Sequence, residues 1–526
     1  MPMAAALAGV LLAAGDPLVA PVPGCAGRGA VSRVQVVRHR IFDGGTEALA
    51  WPMRLANRLH VLTREDVIRR EVLLGSGDCL DDEALAQTER NLRRLGFLRE
   101  ARVEALPDED TTAAGAHVRV STSDTWSTVP ALRFAKVGNR LVWSAGVSDK
   151  NLLGGGQEVE VSRHADLDRD QTVFSVRDPR LAGSRVRLGA SVFDRSDGRR
   201  AQLDVARPFF ALTTLWSFRA RLDAFDQRDS LYADGERVAE LRHVARWLEF
   251  ESAHAVRRTD ATAWRLHLAY RHRKDEVAGD LRRFGILEAG LSVLEHRFER
   301  LTHVNRFERA EDFNLGHQLT AALGVSTRAL GGEAGRVLAA SVSERKGLDL
   351  GPGRFLVGQV GWRGRHRHGR WQNTLGEARV DGLSRLGPRA LLLATARYRH
   401  GANLDPEVQL TLGAHNGLRG YPVHQWVGSR SLLLATEARR FLAEDVKQLA
   451  SFGVAAFAAA GHAWPEGRDV ALSDLRGDVG LSLLIGRNRL AGSQPGVRLD
   501  LAYAFNPAPG RGRWLVSIGS SFAFLE

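Results

Sequence analysis

The sequence predicts an α+β amino-terminal domain followed by an all-β transmembrane barrel of about sixteen antiparallel strands. Three observations predict it. Residues 31–125 mix helical and strand periodicity within a short span. From about residue 128 the helical period nearly vanishes, and apolar–polar alternation runs to the last residue. The polar face of that alternation is dense in Arg and His, which a dry sandwich core does not accept and a wet lumen does. The division is a signal peptide or leader over 1–30, the α+β domain over 31–125 and the barrel over 126–526.

The amino-terminal stretch "MAAALAGVLLAAGDPLVA" has an apolar core of signal-peptide length followed by small residues, without the usual Lys or Arg before it. "VPGCAG" faintly resembles a lipoprotein cleavage box at Cys25, although Pro23 stands against that reading. Cys25 and Cys79 are the two cysteines, too few for a disulfide framework or a zinc site. The place of Cys25 in or near a leader argues against a Cys25–Cys79 bridge. No later segment offers the 18 or more apolar residues of a membrane helix. Charged residues at 25% and hydrophobic ones at 44% exclude a disordered chain and a bundle of membrane helices.

Within 31–125, "VSRVQVVRHRIF" alternates as a strand. "TREDVIRREVLL" reads as a helix with Thr63 as its N-cap and acids in its first turn. "GSGDCLDDEALAQTERNLRRLGF" is a loop and then a second helix. Leu85, Thr88, Leu92 and Leu95 share one face, and Gly96 stops it. "LREARVEAL" and "AHVRVSTSD" are two strands parted by the turn "PDEDTTAAG".

Beyond residue 128 the segments are near the ~9–11 residues that a tilted strand needs to span, and aromatics sit at their ends as in an interfacial girdle. In "AWRLHLAYRHR", Trp264, Leu266, Leu268 and Tyr270 oppose Arg265, His267 and Arg271. In "VRLDLAYAF", Val497, Leu499, Leu501, Tyr503 and Phe505 oppose Arg498 and Asp500. An allowance of roughly 25 residues per strand with its connection gives the count of about sixteen, and closure removes exposed edges. In the last strand, "RWLVSIGSSFAFLE", Trp514, Val516, Ile518, Phe522 and Phe524 face one way. The net charge of +12 is mostly Arg scattered along strands, which favours a solvated wall near anionic lipid over a nucleic-acid patch.

These pieces resemble the BamA/TamA-type outer-membrane protein assembly and translocation superfamily, which includes the two-partner secretion transporters. The strand–helix–helix–strand–strand order and "GDCLDDEALAQTERNLRRLGFLREARV" resemble a POTRA domain. "STSDTWST" resembles the passage into the barrel, and "SDKNLLGGGQEVEV" the first barrel hairpin. "GLRGYP" matches the family's motif, here Leu418, Arg419, Gly420 and Tyr421. The terminal strand, with Trp514, Val516, Ile518, Gly519, Phe522 and Phe524, resembles the barrel-insertion signal, with Leu525 and Glu526 beyond the usual terminal aromatic.

The resemblance implies that the motif loop folds into the lumen and that Arg419 meets acids on the inner wall. Alternation places Glu437 and Asp478 on that wall. Where relatives carry an acid two residues before the Gly of the following strand, this chain has Ala459, which weakens the Arg419 anchor or moves it to Asp478. The resemblance further implies a bacterial outer-membrane location with the POTRA domain in the periplasm. It implies unfolded outer-membrane or secreted polypeptides as clients, a bilayer that includes anionic lipid, and other envelope assembly factors as partners. Neither nucleic acid nor a cofactor is expected. Clients would be captured by strand addition to a POTRA sheet edge and to a barrel seam, between strands around Leu141–Ser148 and Val516–Phe524.

No enzyme is expected, since G-x-S-x-G, G-x-x-x-x-G-K-[ST] and H-E-x-x-H are all missing from the sequence. His366 and His368 share a face but have no third ligand nearby, so no metal site is assigned. A passive outer-membrane channel or structural barrel remains the alternative.

Overall fold

In the computed structural model the described residues are 25, 29–42, 50–107, 115–130, 133–137, 140–259, 261–486, 489–491, 496–507 and 512–520. The amino-terminal domain holds β1 (Ala30–His39), α1 (Trp51–Leu59), α2 (Glu65–Arg69), α3 (Asp82–Arg94), β2 (Leu98–Pro107) and β3 (Gly115–Asp124). β3 lies centrally, parallel to β1 and antiparallel to β2. Val31, Ile68, Leu92, Leu98, Val118 and Val120 form its core. Asp81 caps α3 by accepting from the Glu83 N–H at 2.9 Å. Asp82 and Glu83 in the first turn and Arg93 and Arg94 in the last complement the helix dipole.

Three expectations for this domain are corrected. Cys25 and Cys79 are disulfide-bonded. Ala30 bridges to Cys79 beside β1, which brings residue 25 within reach although the two cysteines lie 54 residues apart. Cys25 therefore belongs to the folded domain, and its thiol is not available for a lipid. Thr63 does not cap α2, whose N-cap is Arg64 without a side-chain bond. Instead the Thr63 N–H and hydroxyl donate to Asp124 at 2.8 and 2.9 Å. That buried carboxylate offers more than a helix end five residues long. The helix α1 has no counterpart in the expected order.

Apart from two small ladders, Phe298–Leu301 with Glu311–Asn314 and Leu410–Leu412 with Trp426–Gly428, the remaining strands form a closed barrel. The segments Thr128–Pro130 and Arg133–Val137 both pair with Arg140–Asp149 and make one interrupted strand, so the described residues give twenty strands rather than about sixteen. The allowance per strand was too generous because many connections are two-residue turns. Asp234–Gly235, Ala278–Gly279 and His368–Gly369 each take two positive φ angles, the geometry that suits the twist of a hairpin. The strand expected to come first is corrected too. Leu141–Ser148 lies in the second barrel strand, and "NLLGGGQ" turns between the second and third.

Alternation sorts the side chains as the pattern demands. Leu266, Leu268, Leu481, Leu483, Leu499 and Leu501 are exposed on the outside, while Arg265, Asp478, Ser482, Arg498 and Asp500 are buried inside. Trp264, Trp371 and Trp514 are exposed within three residues of a strand end. Wall height is uneven. Strands beside the junction of first and last run 7–11 residues, whereas Glu236–Arg258 runs 23.

The amino-terminal domain sits under one mouth. Asn151 donates to Thr63 at 2.8 Å, Arg180 pairs with Glu71, and Trp126 N–H donates to Arg489 O at 2.7 Å. Between the strands Asp280–Glu295 and Gln318–Ser326, the hairpin Phe298–Leu301/Glu311–Asn314 reaches α3. Arg93 clasps Asp312 with contacts of 2.6–2.9 Å, and Arg300 donates to Glu89 at 2.7 Å.

Candidate functional site

The motif lies in the long connection between the strands Ala390–Ala402 and Arg430–Val446. Its stem is a small ladder, Leu410–Leu412 against Trp426–Gly428, from which the segment enters the lumen. Leu418 is fully buried with Leu412, Tyr421, Leu433, Ala463 and Ala504. Tyr421 N–H donates to Leu418 O at 3.1 Å and closes the turn, and the Tyr421 hydroxyl donates to Gly477 O at 2.9 Å. Gly420 is demanded by space. A Cβ there would stand 2.9 Å from Asp478 Cβ and 3.3 Å from the backbone nitrogen of Ala504.

Arg419 Nη2 lies 2.9 Å from Glu437 Oε2, its Nε lies 4.0 Å from Asp500 Oδ2, and its guanidinium stands 4.3 Å over the Phe457 ring. Glu437 also receives Arg439 Nε at 2.6 Å and Arg498 Nη1 at 2.9 Å. Arg498 continues to Asp500 and Ser482, each at 2.5 Å. Three guanidinium groups thus converge on one carboxylate in a confined lumen, where charge-assisted pairs are strongest.

Asp478 plays a different part from that expected. Its Oδ2 accepts from the Gly420 N–H at 2.6 Å, so it grips the loop's backbone rather than the Arg419 side chain. Ala459 is its direct cross-strand partner. An acid thus stands directly across from Ala459 on the neighbouring strand. The sequence reading missed Asp500 and Arg498 as members of this cluster. Their spacing of two on an inward face was the available signal.

The cluster connects to the domain beneath. Arg439 Nη1 donates to Val304 O at 2.6 Å. Val304 and Phe307 belong to the connection inside the domain-facing hairpin. They pack against Phe355, Leu391, Leu393 and Phe441 of the inner wall, with the Phe307 and Phe441 rings 4.9 Å apart. The segment 302–310 is thus a stopper seated in that mouth through Val304 and Phe307.

First and last strands meet at one register pair among the described residues, Ile518 with Lys136. Every other neighbouring pair shares at least seven. A cavity of about 670 Å³ lies between this seam and the motif loop, lined in part by Lys136, Gly519, Arg419, Arg498 and Asp500. Trp514, Val516 and Ile518 are exposed outward, and Phe522 and Phe524 lie outside the described residues. His368 occupies a hairpin turn and His366 packs edge-on against Trp371 at 5.4 Å.

A closed barrel with a lumenal loop, a seated stopper and, among the described residues, one register pair between first and last strands is the class that fold and site define. No family model matches the chain, and no curated protein matches it. Among solved structures it is similar to BamA from Haemophilus ducreyi lacking POTRA domains 1–3, at 12% identity and TM-score 0.41 over 93% of this chain and 84% of that one. It is also similar to CdiB from Escherichia coli, at 12% identity and TM-score 0.44 over 93% and 76%. CdiB from Acinetobacter baumannii gives 11%, 0.41, 93% and 73%.

Proposed function

We infer that this chain is a non-enzymatic outer-membrane protein that inserts or translocates other polypeptides. The observation that carries the reading is the seam. Among the described residues the first and last strands share one register pair; in hydrocarbon an unpaired backbone N–H or C=O costs several kcal/mol, so groups left unpaired at such a seam would accept a complementary strand. Burial of the incoming strand's apolar face in lipid drives the step, and no nucleotide is needed. The cavity behind the seam gives an arriving chain room beside Arg419.

The amino-terminal domain serves as a POTRA-like receiver in the periplasm. Its disulfide suits that oxidising compartment. Of its two sheet edges, β2 is partly taken, since Glu89 accepts the Val103 N–H at 3.2 Å. The edge of β1 beyond Ser32 has no strand partner among the described residues and is the docking edge for an extended client. A passive barrel is the rival reading, favoured by the seated stopper.

A photoreactive residue at Gln35, exposed on β1, or in a second protein at Lys136, tests the choice in the full chain reconstituted in liposomes. Added unfolded barrel polypeptide should crosslink there and at Lys136. A passive barrel gives no adduct at either position.

A further inference from the structure

We propose that α1 is a membrane-surface anchor, lying on the anionic phospholipid leaflet at the foot of the barrel beside the seam. Trp51, Leu55 and Leu59 would enter the acyl–headgroup boundary, with Arg54 and Arg58 at the phosphates. The proposal rests on the barrel spanning a bilayer and not on client transfer.

The helix is built the wrong way round for a soluble domain. An amphipathic helix normally turns its apolar stripe to the core. Here Trp51, Leu55 and Leu59 recur every fourth residue on one face and are 67%, 45% and 64% exposed, and none of the nine residues is buried. The opposite face is fixed to the domain. Asn57 accepts from the Phe42 N–H at 3.1 Å and donates to Phe42 O at 3.0 Å, and Arg40 donates to Asn57 O at 2.7 Å. The stripe is therefore held outward.

What covers it is indicated by the chain that follows. Arg64 donates from its backbone to Gly154 O at 2.9 Å and from its side chain to Leu153 O at 3.2 Å. This bolts the end of the segment to the turn between the second and third barrel strands. Those strands present Val147 and Val161 outward, both exposed. At the tip of the turn Leu153 is held exposed at φ 50°, a conformation that disfavours leucine. The next turn on the same mouth puts Ala182 in the same conformation, so the turn itself does not require leucine. Val61, exposed beside this turn, completes a run of apolar side chains from the barrel's outer belt to α1.

Charge selects the lipid. Residues 51–64 hold Arg54, Arg58 and Arg64 and no acid. Arg54 and Arg58 are exposed along one margin of the stripe, where long side chains keep their heads in water over an apolar floor. Basic residues beside exposed Trp and Leu on a short helix are the composition of an interfacial anchor for anionic lipid.

The test uses the full chain carrying Leu55→Cys or, in a second protein, Leu59→Cys, labelled with an environment-sensitive fluorophore. The native cysteines are disulfide-bonded and stay unlabelled. Each protein is reconstituted in brominated phosphatidylcholine with and without phosphatidylglycerol, beside a Leu481→Cys reference on the barrel's outer face. Quenching at 55 and 59 should approach that at 481 with phosphatidylglycerol present. It should fall at least twofold without it, or in Arg54→Gln/Arg58→Gln. Unquenched labels at 55 and 59 beside a quenched 481 overturn the anchor, as does protection that appears only on adding a polypeptide. Equal quenching in neutral lipid overturns the anionic preference. No quenching at 481 overturns the membrane-spanning reading and this proposal with it.

Discussion

Glu437 accepts from three arginines at once, and the stability of the lumen turns on it. Removing one partner of a buried ion pair strands the other, at a cost of about 3–5 kcal/mol. Glu437→Ala removes a carboxylate shared by Arg419, Arg439 and Arg498 and should be the most damaging single change in the cluster. Arg419→Ala removes one of three cations and should cost about 1.5–3 kcal/mol. Arg419→Lys should rescue little, because an ammonium lacks the planar fork that reaches Glu437 and Asp500 and stacks on Phe457. In the double change the two costs should fall short of their sum. The midpoint of heat modifiability and protease access to the loop read all three. Strict additivity would mean that the pair contributes nothing. Gly420→Ala should displace the loop by steric contact with Asp478, whereas Asp478→Asn, which keeps an acceptor for the Gly420 N–H, should be mild. Loss of loop protection in Asp478→Asn equal to that in Gly420→Ala would contradict this division of roles.

Among elements, the hairpin that carries the stopper is held by α3. Arg93 makes a two-point contact to Asp312, and both side chains are mostly buried. Arg93→Ala should free the hairpin and expose residues 302–310 to limited proteolysis while the barrel keeps its heat-modifiable form. Unchanged cleavage would place the stopper's anchorage in its apolar contacts alone. This element also marks what the sequence could not disclose. The strands were legible because their period is two and one face is polar. "LTHVNRFERAEDFNL" has no such period, and its purpose depends on a wall more than 40 residues away in the chain, Phe355 and Leu391 among it. The helix α1 escaped notice because Ala50 gives it no side-chain cap, although its apolar spacing of four was readable. The disulfide was hidden by the resemblance of residues near Cys25 to a leader. The Arg419 loop, by contrast, was legible from four residues. Its partners were legible only as far as strand alternation places Glu437 and Asp478 inside.

At the scale of the molecule, one line of contacts runs from the amino-terminal domain to the motif. Arg93 holds Asp312, the hairpin seats Val304 and Phe307, Arg439 binds Val304 O, and Glu437 joins Arg439 to Arg419. A polypeptide docking beneath the mouth would meet this line at α3. Replacing residues 302–310 by a short Gly-Ser linker should raise single-channel conductance in planar bilayers. Unchanged conductance would mean that the motif loop alone closes the lumen. Transfer of a client requires the seam to open. The most direct test joins Lys136→Cys to Ile518→Cys, which fixes the one register pair across it among the described residues. The locked barrel should remain folded and heat-modifiable while transfer of an unfolded client falls to background, and the two single-cysteine proteins should transfer normally. Undiminished transfer through the locked barrel would contradict the account.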